Sequence, residues 1–372
     1  MHFKWKRSFG GMLASSLVAL VATTSLYAIP RAACEPKPDV CCEEPKPGPF
    51  AFAFPKDMNL ACPRDFYIHI DALAFQAKED GLTFGIEDAS ALNVPLSNGK
   101  ALGFSSQNGD YGYNYGMRFG LGFYLNHDAW NLDFNWTWIN ITEYKRQMVQ
   151  PSGSIVPSHL VGTTTPVGFY GLSASGKWNV HYDMLDIRLA KPYHVSRYVI
   201  LKPHFGLRAG WIDQHYAVDY SGVGTATRTI FHADNDFWGV GSRLGFDSQW
   251  MLGKGFWLFG NFAASMLFGK FDISQRLAIP STTADGYTVD DDHYQNCPNM
   301  EMMLGFGWGH FFSRSKYYVS LEAAYEFHEW WDQLNIRRFS SGQGSTGAFT
   351  NETVARGNLT LNGFSLKLAL DF

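Results

Sequence analysis

From residue 65 to the end of the chain, hydrophobic and polar positions alternate with a period of two, the period of a β-strand. Over 112–126 one face reads Tyr113, Tyr115, Met117, Phe119, Leu121, Phe123 and Leu125, and the other is mostly glycine and asparagine around Arg118. The following segment sets Trp130, Leu132, Phe134, Trp136 and Trp138 against Asn131, Asp133, Asn135 and Thr137. One face suits lipid, the other water or close packing. The pattern predicts strands near 66–78, 112–126, 129–141, 176–190, 197–213, 236–250, 256–271, 298–312, 317–331 and 358–372. Short connections (127–128, 192–196, 252–255, 313–316) alternate with long ones (79–111, 142–175, 214–235, 272–297, 332–357).

A soluble sandwich also alternates, so three further features decide. Segments of roughly 13 to 15 residues exceed the usual strand of about five or six and match tilted membrane strands with extensions. Aromatic residues stand at two heights. Trp130 and Trp138 are about 20 Å apart in height, and Trp238 and Trp250 about 30 Å, at about 3.3 Å per residue and a tilt near 40°. These distances bracket an apolar band flanked by aromatic girdles. Finally, the chain ends in Phe364, Leu366, Leu368, Leu370 and Phe372 with polar or small residues between them, which resembles the assembly signal of outer-membrane barrels. The expected fold is all-β: a transmembrane, antiparallel up-and-down barrel of about ten strands, with twelve as the alternative if a long early loop hides another hairpin. Short turns on one side and long loops on the other put both termini in the periplasm.

Composition agrees. Charged residues make up 17% of the 372, below the roughly 25% of soluble domains, and aromatics reach 16%. A net charge of -4 gives no basic face for nucleic acid. No stretch beyond the N-terminus is long and apolar enough for a membrane helix; the greasiest, 256–268, contains Asn261.

The N-terminus predicts a secretory signal over 1–28: Lys4, Lys6 and Arg7 precede the uncharged run Gly11–Tyr27, with cleavage after Ala28 or a little later. A membrane anchor is the alternative, weakened by the missing stop-transfer flank, and lipid attachment at Cys34 is disfavoured by Arg31. Residues 29–64 read as a Pro/Cys-rich periplasmic spacer, in which Glu35-Pro36-Lys37-Pro38 recurs as Glu44-Pro45-Lys46-Pro47. Cys34, Cys41, Cys42 and Cys62 are disulfide candidates in an exported chain, either bridging locally or cross-linking to other cysteine-rich envelope proteins; Cys297 sits alone. The barrel is expected over 65–372.

The inward faces are predicted to carry Arg118, Asp133, Asp183, Arg188, Lys202, His204, Arg208, Arg243, Asp247, Glu301, Glu322, Glu326 and Lys367, because a charge facing lipid near midplane costs about 2–4 kcal/mol for Arg or Lys. Arg118, Asp133, Lys202, Arg208, Arg243, Asp247, Glu322 and Glu326 are the pore-lining candidates. Mixed, nearly balanced signs fit either a pore with a transverse field or a salt-bridge network filling a narrow lumen. Ten strands make a narrow barrel, and inward glycines such as Gly120, Gly245, Gly305 and Gly307 leave room for a solute path or relieve crowding in a curved wall.

Several stretches carry a family resemblance: Phe66-Tyr67-Ile68 through Gln76-Ala77-Lys78-Glu79-Asp80-Gly81-Leu82, Asn235-Asp236-Phe237-Trp238-Gly239-Val240-Gly241, Arg243-Leu244-Gly245-Phe246, and Gly260-Asn261-Phe262-Ala263-Ala264-Ser265. Together they resemble the pore-forming major outer-membrane proteins of Legionella type and the related barrels of chlamydia relatives, over roughly 65–372. The resemblance implies a porin-like envelope protein passing small hydrophilic solutes or ions. The cysteine-bearing spacer is similar to the disulfide-linked envelopes of chlamydia-like bacteria. A closed-lumen structural or adhesive barrel is the alternative. The expected partners are outer-membrane lipid, the barrel-assembly machinery, and other envelope proteins or further copies of the chain.

No catalytic, cofactor or metal motif is evident. Asp290, Asp291, Asp292 and His293 lack the spacing of a calcium loop and read as a solvated loop face. His69, His181 and His204 read as inward polar residues. Asp213, His215, Asp234 and Asp236 lie near the outer rim, where some small barrels place protease groups; this is the enzyme alternative to a pore.

Overall fold

The structure, a computed structural model, describes residues 66–88, 99–104, 112–125, 130–148, 154–159, 172–196, 198–223, 226–278, 280, 287–313, 316–341 and 349–372. The predicted signal and spacer, with Cys34, Cys41, Cys42 and Cys62, lie outside the described residues.

Fourteen strands are described: β1 (Phe66–Glu79), β2 (Thr83–Asp88), β3 (Lys100–Gly103), β4 (Asn114–Tyr124), β5 (Asn131–Met148), β6 (Ser154–Pro157), β7 (Ser173–Ala190), β8 (Tyr193–His194), β9 (Val199–Val223), β10 (Ala226–Gly253), β11 (Phe256–Ala278), β12 (Tyr287–Phe312), β13 (Tyr317–Ser341) and β14 (Phe349–Asp371). Ten of them form the wall in the order β1-β4-β5-β7-β9-β10-β11-β12-β13-β14. All neighbours are antiparallel, and β14 closes the cylinder on β1 from Tyr67 opposite Asp371 to Glu79 opposite Leu359. All ten predicted strands are present in the predicted order. A closed barrel leaves no sheet edge in lipid, which is the condition for strands to cross a bilayer.

The alternation settles which face meets lipid. Phe119, Leu244, Phe306 and Leu366 point outward and are 46–65% exposed, an arrangement that is stable only against an apolar solvent. The outward Trp138, Trp211 and Trp238 lie on one ladder row, in the order Trp138-Asp183-Trp211-Trp238-Lys270-Tyr294 across β5, β7, β9, β10, β11 and β12. Trp130 and Trp250 stand near the opposite ends of their strands, beside the short turns. At that end Phe372 stacks on Phe66 at 4.6 Å, so the last residue is packed against the first wall strand. Phe364, Leu366 and Leu368 face outward and are exposed. The turn from β10 to β11 is tight, with Gly253, Lys254 and Gly255 all at positive φ (96°, 55° and 81°), a conformation that favours glycine.

Four expectations change. Asp183 and His181 point outward, since the inward residues of β7 are the even ones, Tyr182, Met184, Asp186 and Arg188. Asp183 takes its place among the tryptophans of the outer girdle, at the polar interface and away from midplane. The predicted long connections 214–235, 272–297 and 332–357 are largely strand: β9 and β10 pair without interruption from Trp250–Val199 up to Arg228–Ser221. Hydrophobic alternation fades above the lipid, while backbone pairing continues. The Asp290–His293 cluster is accordingly part of β12: Asp292 faces Lys270 at 2.8 Å, and Asp291 turns inward to Arg337 at 2.6 Å. The extra strands anticipated in the first two long loops exist but do not enlarge the wall. They form a separate sheet, β3-β2-β6, so the wall has ten strands and not twelve.

Candidate functional site: the barrel lumen

Two layers fill the lumen. The inner layer is ionised. Arg208 of β9 bonds both oxygens of Asp186, through Nε at 2.6 Å and Nη2 at 2.7 Å, and reaches across β10 and β11 to Glu301 on β12. Arg243 joins Glu301 at 2.5 Å. His328 lies between Glu301 (3.3 Å) and Glu326 (3.0 Å). Glu326 accepts both Arg118 Nη groups, at 3.1 and 2.9 Å, and Arg118 also donates to Asp71 (3.1 Å) and Thr137 (3.1 Å). Asp71 and Asn135 then hold His69 at 2.8 and 2.9 Å. This chain of contacts runs from β7 across the lumen to β1 and β5. A second group joins Arg188 to Asp133 (3.0 Å) and Asp247 (3.1 Å), and Lys367 pairs with Glu322 (3.2 Å). A cavity of about 120 Å³ lies among these groups.

Each member is positioned by strand parity. Every pore-lining candidate is inward: Arg118, Asp133, Arg208, Arg243, Asp247, Glu322 and Glu326 take part in the ion pairs above, and Lys202 lies inward beside Asp247. Sequence reasoning missed Asp71 and Asp186 from this layer. Parity with His69 and Arg188 on the same strands was the available signal. His328 was missed too, although it shares the face of Glu326.

The spaces beside the inward glycines are occupied. A side chain at Gly120 would collide with His69 and Asn135, at Gly245 with His204, at Gly305 with Ala324 and Phe259, and at Gly307 with the Trp257 indole. A neighbouring ring or polar side chain occupies most of these spaces, so these glycines relieve crowding.

The outer layer is apolar and comes partly from the loops. Leu82, Phe84, Leu102 and Phe104 of the segments around β2 and β3, with Ile155 of β6, are fully or almost fully buried against Trp178, Tyr216, Val218, Tyr220 and Phe231 of the wall. Phe104 packs its ring 6.0 Å from Trp178 and edge-on to Tyr216 at 6.2 Å. His159, just after β6, stacks on Phe231 with ring centres 4.2 Å apart. The Tyr220 hydroxyl donates to the Phe84 carbonyl, and the Lys145 ammonium to that of Gly103 at 3.1 Å. These segments form a plug seated in the outer mouth. Burial, with the Arg338 charge close by, pushes the His159 imidazole down to about 3, so it is neutral while seated.

The proposed protease quartet lies elsewhere. His215 and Asp234 are 2.8 Å apart and Asp236 is paired opposite Asp213, all on the outward face of β9 and β10. Among the described residues no group of His, Cys, Asp and Glu could hold a metal ion. Cys297 is buried, donating to the carbonyl of Trp331 at 3.3 Å.

Comparison with known proteins gives a family and a set of distant folds. Residues 61–372 match the family model described as Legionella pneumophila major outer membrane protein precursor. No curated protein matches. Among solved structures, the chain is similar to the outer membrane protease OmpT from Escherichia coli (10% identity, 86% of this chain and 99% of that one, TM-score 0.37). It is also similar to a FadL homologue from Pseudomonas aeruginosa (8% identity, 82% and 89%, TM-score 0.26) and to the toluene transporter TodX from P. putida (10% identity, 83% and 90%, TM-score 0.26).

Proposed function

The chain belongs to the Legionella pneumophila major outer membrane protein family and is a bacterial outer-membrane β-barrel, and on that premise we propose that it is a porin-type channel for small hydrophilic solutes or ions that rests closed and opens when its plug leaves the mouth. The observation that carries this reading is the layering of the lumen. An ionised layer surrounding a cavity lies beneath an apolar plug built from loop segments separate from the wall. A barrel needing only rigidity is served as well or better by apolar filling, because buried ion pairs are often no more stabilising than well-packed hydrophobic residues. Facing ionised groups, once hydrated, present opposing charges to a passing solute.

The test is uptake by liposomes reconstituted with the protein. Chloride and small-sugar permeability above that of protein-free liposomes supports the channel. Impermeable liposomes, both for the native chain and for a chain whose first two long loops are shortened, would sink it.

The second reading is a closed structural barrel, linked through the spacer cysteines to other envelope proteins or to further copies. It is favoured by the unbroken contact chain from Asp186 to Asp71, which crosses the lumen from wall to wall. Impermeability in both chains would favour it. A catalytic role fits the geometry less well, since the His215–Asp234 pair lies on the convex outer wall.

A further inference from the structure

The wall of the barrel parts between β12 and β13. β12 and β13 pair from Phe312–Tyr317 to Asn299–Trp330, and there the ladder stops. The next residue on β12 is Pro298, which has no N–H to give. On β13 the residues Trp331–Gln333 form a bulge against β14, with Asp332 at φ 54°. Beyond this point β12 pairs with β11 alone and β13 with β14 alone among the described residues.

The outer β13–β14 hairpin leans over the lumen, and side chains replace the missing ladder. Asn235 donates to the Gln333 carbonyl at 3.0 Å. Gln275 accepts from the Arg337 backbone N–H at 3.1 Å and donates to the Arg337 carbonyl at 3.3 Å. The hairpin has two faces. Leu334 and Ile336 are buried in the luminal apolar layer. Asn335, Arg337 and Arg356 face a seam cavity of about 230 Å³, opposite Asp291, His293 and Gln295 of β12.

The lining has an excess of positive charge. Arg337 and Asp291 are paired at 2.6 Å, and His293 stands 3.5 Å from the same carboxylate. Arg356 is exposed, and it has no hydrogen bond or ion pair among the described residues. Asn335 is directly opposite Arg356 and Arg337 directly opposite Val354, so the two arginines are diagonal cross-strand neighbours on one face. Such neighbours are about 7–8 Å apart at the backbone, within reach of one tetrahedral anion between long side chains. Guanidinium groups suit phosphate oxygens through paired N–H donors. Along β12 the cavity begins beside Tyr294, whose outward ring stacks on Phe268 at 5.8 Å in the aromatic girdle.

We propose that the seam between β12 and the β13–β14 hairpin is a binding site for a phosphate group, held by Arg356 and Arg337 with His293 as a third donor. The phosphate comes either from a lipid headgroup of the outer leaflet, level with the girdle, or from a small soluble phosphate.

The experiment uses the full chain and two probes. Inorganic phosphate is titrated calorimetrically against protein in a zwitterionic detergent. In the second arm, protein in phosphatidylcholine nanodiscs is compared with protein in discs containing phosphatidylglycerol, with bound lipid measured by native mass spectrometry. Arg356→Gln changes an exposed side chain outside the buried layers, so the barrel is expected to fold. Arg228→Gln, at an exposed Asp219 pair near the start of β10 and outside the seam lining, is the control. Saturable binding in either arm, weakened about tenfold by Arg356→Gln and unchanged by Arg228→Gln, supports the site, and the responding arm identifies the source. No saturable binding in both arms, or binding indifferent to Arg356→Gln, overturns it. The readout is binding alone, so it stands or falls apart from channel activity.

Discussion

Arg118 on β4 and Glu326 on β13 meet through two parallel hydrogen bonds of 3.1 and 2.9 Å across the two strands that separate them in the wall. Both side chains are largely or wholly shielded from solvent, 14% and 1% exposed. A pair so placed is costly to break on one side and cheap to replace on both. Arg118→Met alone is expected to destabilise the barrel by about 3–5 kcal/mol, since Glu326 and Asp71 would lose their main counter-charge. Adding Glu326→Leu should recover a large part of that loss. Urea unfolding of the two single variants and the double variant in detergent measures the coupling directly; independent, additive effects would show that the two residues do not act as a unit.

The filling of the glycine gaps gives a second expectation. Gly307→Ala would press a methyl group into the Trp257 indole, which is itself buried. Overpacking of this kind costs about 1–3 kcal/mol. Trp257→Leu placed with Gly307→Ala should restore most of the stability, as read by the temperature at which the barrel loses its compact electrophoretic form. If Gly307→Ala is silent by itself, the space beside Gly307 is open and the lumen is wider than the packing implies.

Plug seating should depend on pH through His159. Its imidazole is pushed down to about 3 when seated and returns to about 6.5 when released, so the released plug binds the proton more tightly. Seating is therefore strongest above pH 6.5 and weakens as the pH falls, by about 1.4 kcal/mol per unit, until the pH approaches 3. Channel openings should become more frequent between pH 7 and pH 5. His159→Phe keeps a ring on Phe231 and removes the proton site, and it should flatten this dependence in bilayer recordings. An unchanged pH response in that variant would assign the effect to another group.

Most of the wall was legible in the sequence because lipid imposes a strict rule. Each of Phe119, Phe134 and Leu244 had to face out, and their partners therefore faced in. The rule fails where lipid ends. Residues 214–220 of β9 alternate in the structure as cleanly as the rest, but their inward members include Tyr216, Val218 and Tyr220, whose apolar partner is the plug. Nothing local in the sequence announces the loop residues Leu82, Phe84, Leu102 and Phe104 as that partner. The ionised layer was half legible for a similar reason. Strand parity places Arg118 and Glu326 inside, yet their meeting depends on how the cylinder closes, and Asp183 was misplaced by one step of the same parity.

The most direct test of the closed-but-openable lumen is single-channel recording in planar bilayers of the native chain beside a chain whose β1–β4 connection, with Leu82, Phe84 and Phe104, is replaced by a short Gly/Ser loop. The layered lumen predicts rare, brief openings for the native chain at neutral pH and long-lived conductance for the shortened one. Equal silence from both chains, with the barrel shown to be folded, would contradict it.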